Sequence, residues 1–359
     1  MGLEPTPIIG LTEESLNIQI AIADFEMGRR SNIAIIAEPF AGKSTLLDEI
    51  KRKNPSRVTR LSFSSIARSR DEISGLKESK RIILIDDCHF LYMRRIGGFE
   101  ILRDFLELTG SCKDHFFITT WNLFSWNYLD EVMNISKYFP IQIRPPKFTS
   151  SQIKEYILSQ CEGKSVRFIE DAEFLKTRLL TVAQYPVTIK PLKKPIHIPF
   201  IKIDYDLLRT KLVRTENQIA LEEIIYQKVH NISNGNPGVA KIIWEKTLEN
   251  PEIRPSNIYS FSSNFLLDFD ESFIMAIILS MKSIKKEELA EIAGLESQID
   301  RIISMFLNLG LVQIQGTKIY HHLHTTPYLY NLLAVYLHSF MHPSHAPEHM
   351  ITQLLILNK

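Results

Sequence analysis

Residues 33–47 read IAIIAEPFAGKSTLL: an apolar, β-branched run, a short loop, and a segment with helical spacing. Asn32 to Ile36 has the unbroken apolar character of a strand buried on both faces. Ala37 to Ala41 is expected to be loop, and the STLLDEIKRK beyond it spaces its apolar residues as a helix does, with basic residues in the last turn. Residues 37–44 fit A-x-x-x-x-G-K-S, a phosphate-binding loop with alanine in place of its first glycine. Each residue type answers a need of that chemistry. Gly42 lets backbone N–H groups come close to phosphate, Lys43 supplies a cation for the β- and γ-phosphates, and Ser44 supplies a hydroxyl for magnesium. Ala37, Glu38, Pro39, Phe40, Ala41, Gly42, Lys43, Ser44 and Thr45 are therefore the expected nucleotide-binding loop.

Such a loop needs a second, independent partner: an apolar strand, some tens of residues on, that ends in a carboxylate. RIILIDDCHFL at 81–91 supplies it. Ile82 to Ile85 is the expected strand, Asp86 the carboxylate that binds magnesium through water, and Asp87 the group that polarises the attacking water. With Lys43, Asp87 is the expected catalytic residue; Ser44 and Asp86 are the expected metal ligands. Further strands are expected in RVTRLSFSS, in HFFITTWN at 115–122, and in FPIQIRPP, where a double proline ends the strand. Strands alternating with helical stretches predict an α/β fold with a parallel sheet, the site at the carboxyl ends of its strands.

The composition narrows the remaining classes. Forty-two Lys and Arg against forty-one Asp and Glu leave a formal net charge of +1, so the chain is not a bulk nucleic-acid or membrane-surface binder. Its 359 residues exceed one compact core and imply two or three units. Three cysteines without metal spacing fit buried thiols in a reducing compartment, and the amino-terminal stretch lacks an apolar targeting core, so a cytoplasmic location is expected.

We expect a phosphate-binding α/β unit over 1–146, a helical lid over 147–265 and a C-terminal unit over 266–359. FTSSQIKEYILSQ opens the lid with capping residues and runs helical to Cys161. Residues of about 180–210, punctuated by proline and alternating β-branched, read as an extended or hairpin insertion. In HNISNGNPGVAKIIWEKTL the Asn-Gly-Asn-Pro-Gly turn starts a helix at Pro237. From Glu271 the pattern is helix, helix, helix and a hairpin turning at Gly316, which is the winged-helix pattern, with a C-terminal helix after it. Its third helix, Glu296 to Leu309, exposes Gln298, Asp300, Arg301, Ser304 and Asn308, a poor set for reading DNA. His338 and His342 have helical metal spacing, but Pro343 and Pro347 interrupt the helix beyond them. No clear arginine finger is present: Arg94 and Arg95, just after the Asp-Asp strand, are candidates if the protein forms rings, and the favoured reading is exposed arginines on a solvated face.

The order of parts resembles the STAND ATPases, the signal-transduction branch of the AAA+ superfamily that includes NB-ARC proteins and archaeal ATPases, over roughly residues 5 to 340. The resemblance rests on the P-loop, the Asp86-Asp87 strand, Thr119-Thr120-Trp121, Gly235-Asn236-Pro237 and the winged helix. It implies ATP and Mg2+ as cofactors, slow hydrolysis coupled to a conformational switch, and a homo-oligomer or a protein partner engaged through the winged helix. It also implies that Pro237 packs near adenine or ribose, and that His324 of Leu323-His324-Thr325 meets the β-phosphate of ADP. Trp121 stands where the family commonly places an arginine. The alternative is a DNA-binding AAA+ ATPase of origin-recognition or transposition type, whose winged helix would grip DNA through Lys282, Lys285, Lys286 and Lys318. The absence of an Asn-Lys-x-Asp motif leaves guanine without its usual reader.

Overall fold

A computed structural model describes residues 8–78, 81–160, 166–169, 180–187, 196–203, 221–248, 252–258, 267–294 and 296–321. Its centre is a parallel five-stranded sheet in the order β2-β3-β4-β1-β5. The strands are β1 (Ile33–Ala37), β2 (Val58–Ser62), β3 (Ile82–Asp86), β4 (Phe116–Asn122) and β5 (Ile141–Ile143). Every residue of β1, β3 and β4 is buried, as the unbroken apolar runs require of strands covered on both faces. The α/β parallel fold read from the sequence is therefore present, with small shifts at its edges. Ala37 closes β1 rather than opening the loop, and Asn32 precedes the strand. There the Asn32 side chain accepts from Phe117 N and donates to Thr109 O and Tyr138 O, tying the sheet's amino-terminal edge to its neighbours.

One sheet face is covered by α1 (Thr12–Glu26) and α2 (Lys43–Lys53), through Ile18, Ile22, Leu46, Leu47 and Ile50. The other carries α3 (Glu100–Ser111) and α4 (Leu123–Met133). The two-residue period of β4 puts Phe117 and Trp121 on this second face, where Trp121 packs against Trp126 and Phe139.

The stretch expected to form a lid contains α5 (Ser150–Gln160), α6 (Leu221–Ser233) and α7 (Pro237–Thr247). They share a core with Leu11 and Phe148, and Tyr226 stacks on Trp244 at 5.0 Å. Within the expected insertion, β6 (Leu180–Val187) and β7 (Ile196–Ile203) pair antiparallel.

The C-terminal unit comprises α8 (Phe269–Met281), β8 (Ser283–Lys285), α9 (Lys286–Ala293), α10 (Glu296–Asn308), β9 (Val312–Gln315) and β10 (Lys318–His321). Its antiparallel sheet runs β8-β10-β9, with Gly316 at positive φ in the turn. Reciprocal bonds between Asp268 and Glu271 cap α8. From Glu271 to Met281 every residue of α8 is buried, because the helix lies between its own sheet and α4 within one continuous apolar cluster. Among the described residues no helix is long and apolar enough to cross a membrane. His324, His338, His342 and the expected C-terminal helix lie outside the described residues.

Candidate functional site

Adjacent strands of a parallel sheet deliver their carboxyl ends to one edge. Pairing of Ala37 with Asn122 and of Ile85 with Thr119 therefore brings the loop after β1, the Asp86-Asp87 turn and the end of β4 together. Gly42 holds the loop's tightest point at φ 88°, and a Cβ there would meet Leu11 Cδ1 at 3.0 Å. The α2 helix starts on the next residue, so its free N–H groups and positive dipole end face the loop.

The Lys43 ammonium donates to Ala37 O at 2.9 Å and Glu38 O at 2.7 Å. Burial pushes its pKa down to about 8, with Lys282 adding to the fall and Asp87, Asp86 and Glu38 opposing it. Burial also raises the Glu38 carboxyl, against the pull of Lys147, Asn236 and Lys43.

Asp86 is held from three sides. Thr120 Oγ1 donates to its Oδ1 at 2.6 Å, Arg60 Nη2 to its Oδ2 at 2.7 Å, and Ser44 also bonds the carboxylate. Burial would raise its pKa, but these donors outweigh it and hold the carboxyl below its ordinary value. The Thr120 hydroxyl also accepts from Asp87 N at 2.8 Å, so one side chain of β4 fixes both acidic residues. Asp87 is left-handed, at φ 58°. Its Oδ2 accepts from Lys282 Nζ at 2.9 Å, and His89 Nδ1 lies 3.8 Å from its Oδ1. His89 is buried, and neither ring nitrogen has a hydrogen-bond partner. Burial pushes its pKa down to about 4, Lys282 and Lys43 lowering it further against Asp87 and Asp86. It is neutral at physiological pH.

These groups open onto a cleft of about 400 Å³, lined on the phosphate side by Phe40, Gly42, Lys43, Ser44, Thr45, Asp87 and His89. Tyr156, Gly238, Lys241, Ile242 and Glu245 of the lid line the opposite wall. The lid is clamped to the loop itself: Asn236 Nδ2 donates to Pro39 O at 2.9 Å and Gly238 N to Phe40 O at 3.2 Å. Pro237 is buried at the first position of α7 and is not among the lining residues.

The donor set fits a magnesium-bound nucleoside triphosphate. A helix N-terminus and an ammonium meet at the loop, and the Ser44 hydroxyl is already directed to Asp86. A carboxylate has about four lone-pair positions, and Thr120 and Arg60 take two of those on Asp86, which leaves room for a metal-bound water.

Sequence reasoning brought together Lys43, Ser44, Asp86 and Asp87. Only the DNA-binding alternative gave Lys282 a role, on a DNA-facing surface, whereas the ammonium is bound to Asp87 inside the cleft. Arg60, His89 and Asn122 were missed. Asn122, rather than Trp121, presents a polar side chain to the cleft from β4, because Trp121 faces the aromatic core and donates to Thr119 Oγ1 at 2.8 Å. Arg94 and Arg95 are engaged within the chain, Arg94 over the Tyr128 ring at 3.8 Å and Arg95 with Glu291.

The sheet, the loop between β1 and α2 and the Asp86-Asp87 turn define a P-loop α/β fold. Neither a protein-family model nor a curated protein matches the chain. Among solved structures it is similar to the Thermotoga maritima RuvB Holliday junction branch migration motor, at 14% identity and a TM-score of 0.44, over 89% of this chain and 95% of that one. It is also similar to Cdc6p of Pyrobaculum aerophilum (15%, TM-score 0.41, 94% and 97% covered). Aeropyrum pernix Orc1, solved in complex with DNA, is similar at 13% identity and a TM-score of 0.40, with 91% and 94% covered.

Proposed function

We propose that the chain is an ATP-binding switch that hydrolyses ATP slowly with magnesium and uses the nucleotide state to set the arrangement of its outer units. The observation that carries this is the convergence of Lys43, Ser44 and Asp87 with lid residues and Lys282 in one cleft. A nucleotide there touches three parts of the chain, and it shifts their arrangement by its differential affinity for the alternatives. Lys43 and the start of α2 hold phosphate; Ser44 and, through water, Asp86 hold the metal. Magnesium supplies charge neutralisation of the β- and γ-phosphates. Asp87 takes the proton of the attacking water.

The division into 1–146, 147–265 and 266–359, the reading of the last unit as a winged helix, and membership of the STAND branch belong to the same proposal. So does a β-phosphate contact from His324. For the DNA-binding alternative, three of its four lysines are engaged elsewhere: Lys282 with Asp87, Lys286 with Asp300 and Lys318 with Ser64 O. A protein partner or a second copy is the better occupant of the C-terminal unit.

Calorimetric titration of ATP into the parent and Lys43→Ala tests the site. The parent binds and the variant loses tight binding, whereas equal affinities refute the assignment. Asp87→Asn is expected to bind ATP and to hydrolyse it about 10²-fold more slowly; unchanged turnover removes Asp87 from the chemistry.

A further inference from the structure

Lys282 is a C-terminal-unit residue at the phosphate end of a cleft otherwise built by the P-loop and lid. Its ammonium sits 2.9 Å from Asp87 Oδ2 and 6.0 Å above the centre of the Phe40 ring, so it bridges the acidic turn and the P-loop. The backbone that carries it is fixed. Asn122 Nδ2 donates to Leu279 O and Ser125 Oγ to Ser280 O, each at 2.7 Å, tying the carbonyls just before Lys282 to the end of β4 and the start of α4. Lys282 itself has φ 60° and ψ −46°, a positive-φ conformation that favours glycine and that a residue carrying a Cβ resists. Ending α8 requires only a glycine there. The side chain is what a glycine would not provide, and it points into the cleft.

Resting on the nucleotide-site reading above, we propose that Lys282 is the residue by which this chain distinguishes a nucleoside triphosphate from a diphosphate. Its ammonium leaves Asp87 for the γ-phosphate when one is present, and the Asp87 carboxylate is thereby released to act on water. A terminal phosphate carries more charge and more acceptor oxygens than one carboxylate, so the exchange is favoured electrostatically. A diphosphate ends short of this position and leaves the Lys282–Asp87 pair in place. The same movement couples the nucleotide to the C-terminal unit, because the exchanging group belongs to the end of α8.

The test is calorimetric titration of ADP and of the β,γ-imido analogue of ATP, with magnesium, into the full chain and its Lys282→Gly, Lys282→Arg and Lys43→Ala variants. Glycine suits the backbone at 282, so that variant keeps its fold; Lys282→Met provides the same readout with a side chain of similar length. Removing the ammonium is expected to weaken the triphosphate analogue by about tenfold or more, ~1.4 kcal/mol, with ADP within about twofold of the parent. Lys282→Arg is expected to retain the triphosphate preference. An unchanged ratio in Lys282→Gly and Lys282→Met, or an equal loss for both nucleotides, overturns the proposal. Undiminished binding of both nucleotides by Lys43→Ala overturns the underlying site reading instead, and the two failures are thus told apart.

Discussion

At Lys43 the burial that aims the ammonium at the loop also loosens its hold on the proton. The amine titrates near 8 in the folded chain rather than at 10.5. Phosphate selects the protonated form, so ADP affinity, measured without added metal, is expected to be full below about pH 8 and to fall by up to tenfold per pH unit above it. Calorimetry from about pH 7 to 9.5, in buffers of different ionisation enthalpy, should show proton uptake on binding at the alkaline end; a flat profile contradicts the burial argument. His89 gives the opposite experiment. Its folded pKa of about 4 lies below the ordinary 6.5, so the unfolded chain binds the extra proton between those values. Stability is complete above about pH 6.5 and falls as pH drops toward 4, by about 3 kcal/mol from this group. Denaturant midpoints for the parent and His89→Gln at about pH 7 and pH 5 check it: the variant should lose less on acidification. Lys43, Ser44, Asp86 and Asp87 were legible because short local patterns mark them. Lys282 was not, since 195 positions separate it from Asp87 and its pairing depends on how the C-terminal unit docks.

Among the elements, β4 and the turn before α7 do the most positioning. The alternation of β4 sends Thr120 to the acidic turn and Trp121 to the core, a consequence of strand period that the sequence contains but that matching an arginine position hides. Thr120→Val removes both hydroxyl bonds while preserving shape, so it is expected to destabilise the fold by roughly 1–3 kcal/mol and to slow turnover by unfixing Asp86 and Asp87. Denaturation combined with a turnover assay measures both, and an unaffected rate separates Thr120 from the site. In the first turn of α7, a Cβ on Gly238 would lie 2.6 Å from Phe40 Cβ and 2.7 Å from Phe40 O. Gly238→Ala must therefore push the lid off the loop, and weaker nucleotide binding with an intact P-loop unit is the expected result. The three central strands were readable to within a residue or so, because their apolar runs are continuous; β2 and β5, at the edges, are shorter than RVTRLSFSS and FPIQIRPP. The lining of the cleft by Tyr156 and Lys241 was not, because it arises from helix docking rather than from any local period.

Across the whole molecule, the C-terminal unit is less an appendage than the second cover of the sheet. Its α8 belongs to the same apolar cluster as Phe117, Trp121 and Phe139, and Arg68–Glu288 joins the two surfaces at 3.0 Å. Deleting residues from 267 onward is expected to leave an aggregation-prone remainder, and the intact chain should unfold these two units in one calorimetric transition. Two well-separated transitions would show that they do not share a core. This arrangement also fixes the order of events during synthesis. The five strands are complete by Ile143, yet the helix that seals their aromatic face begins at Phe269. At 5–20 residues per second, the ribosome takes on the order of ten seconds to bridge that interval. Throughout it the face that already carries α3 and α4 lacks its last apolar cover, so the nascent chain is a substrate for holdase chaperones until α8 emerges and joins the cluster.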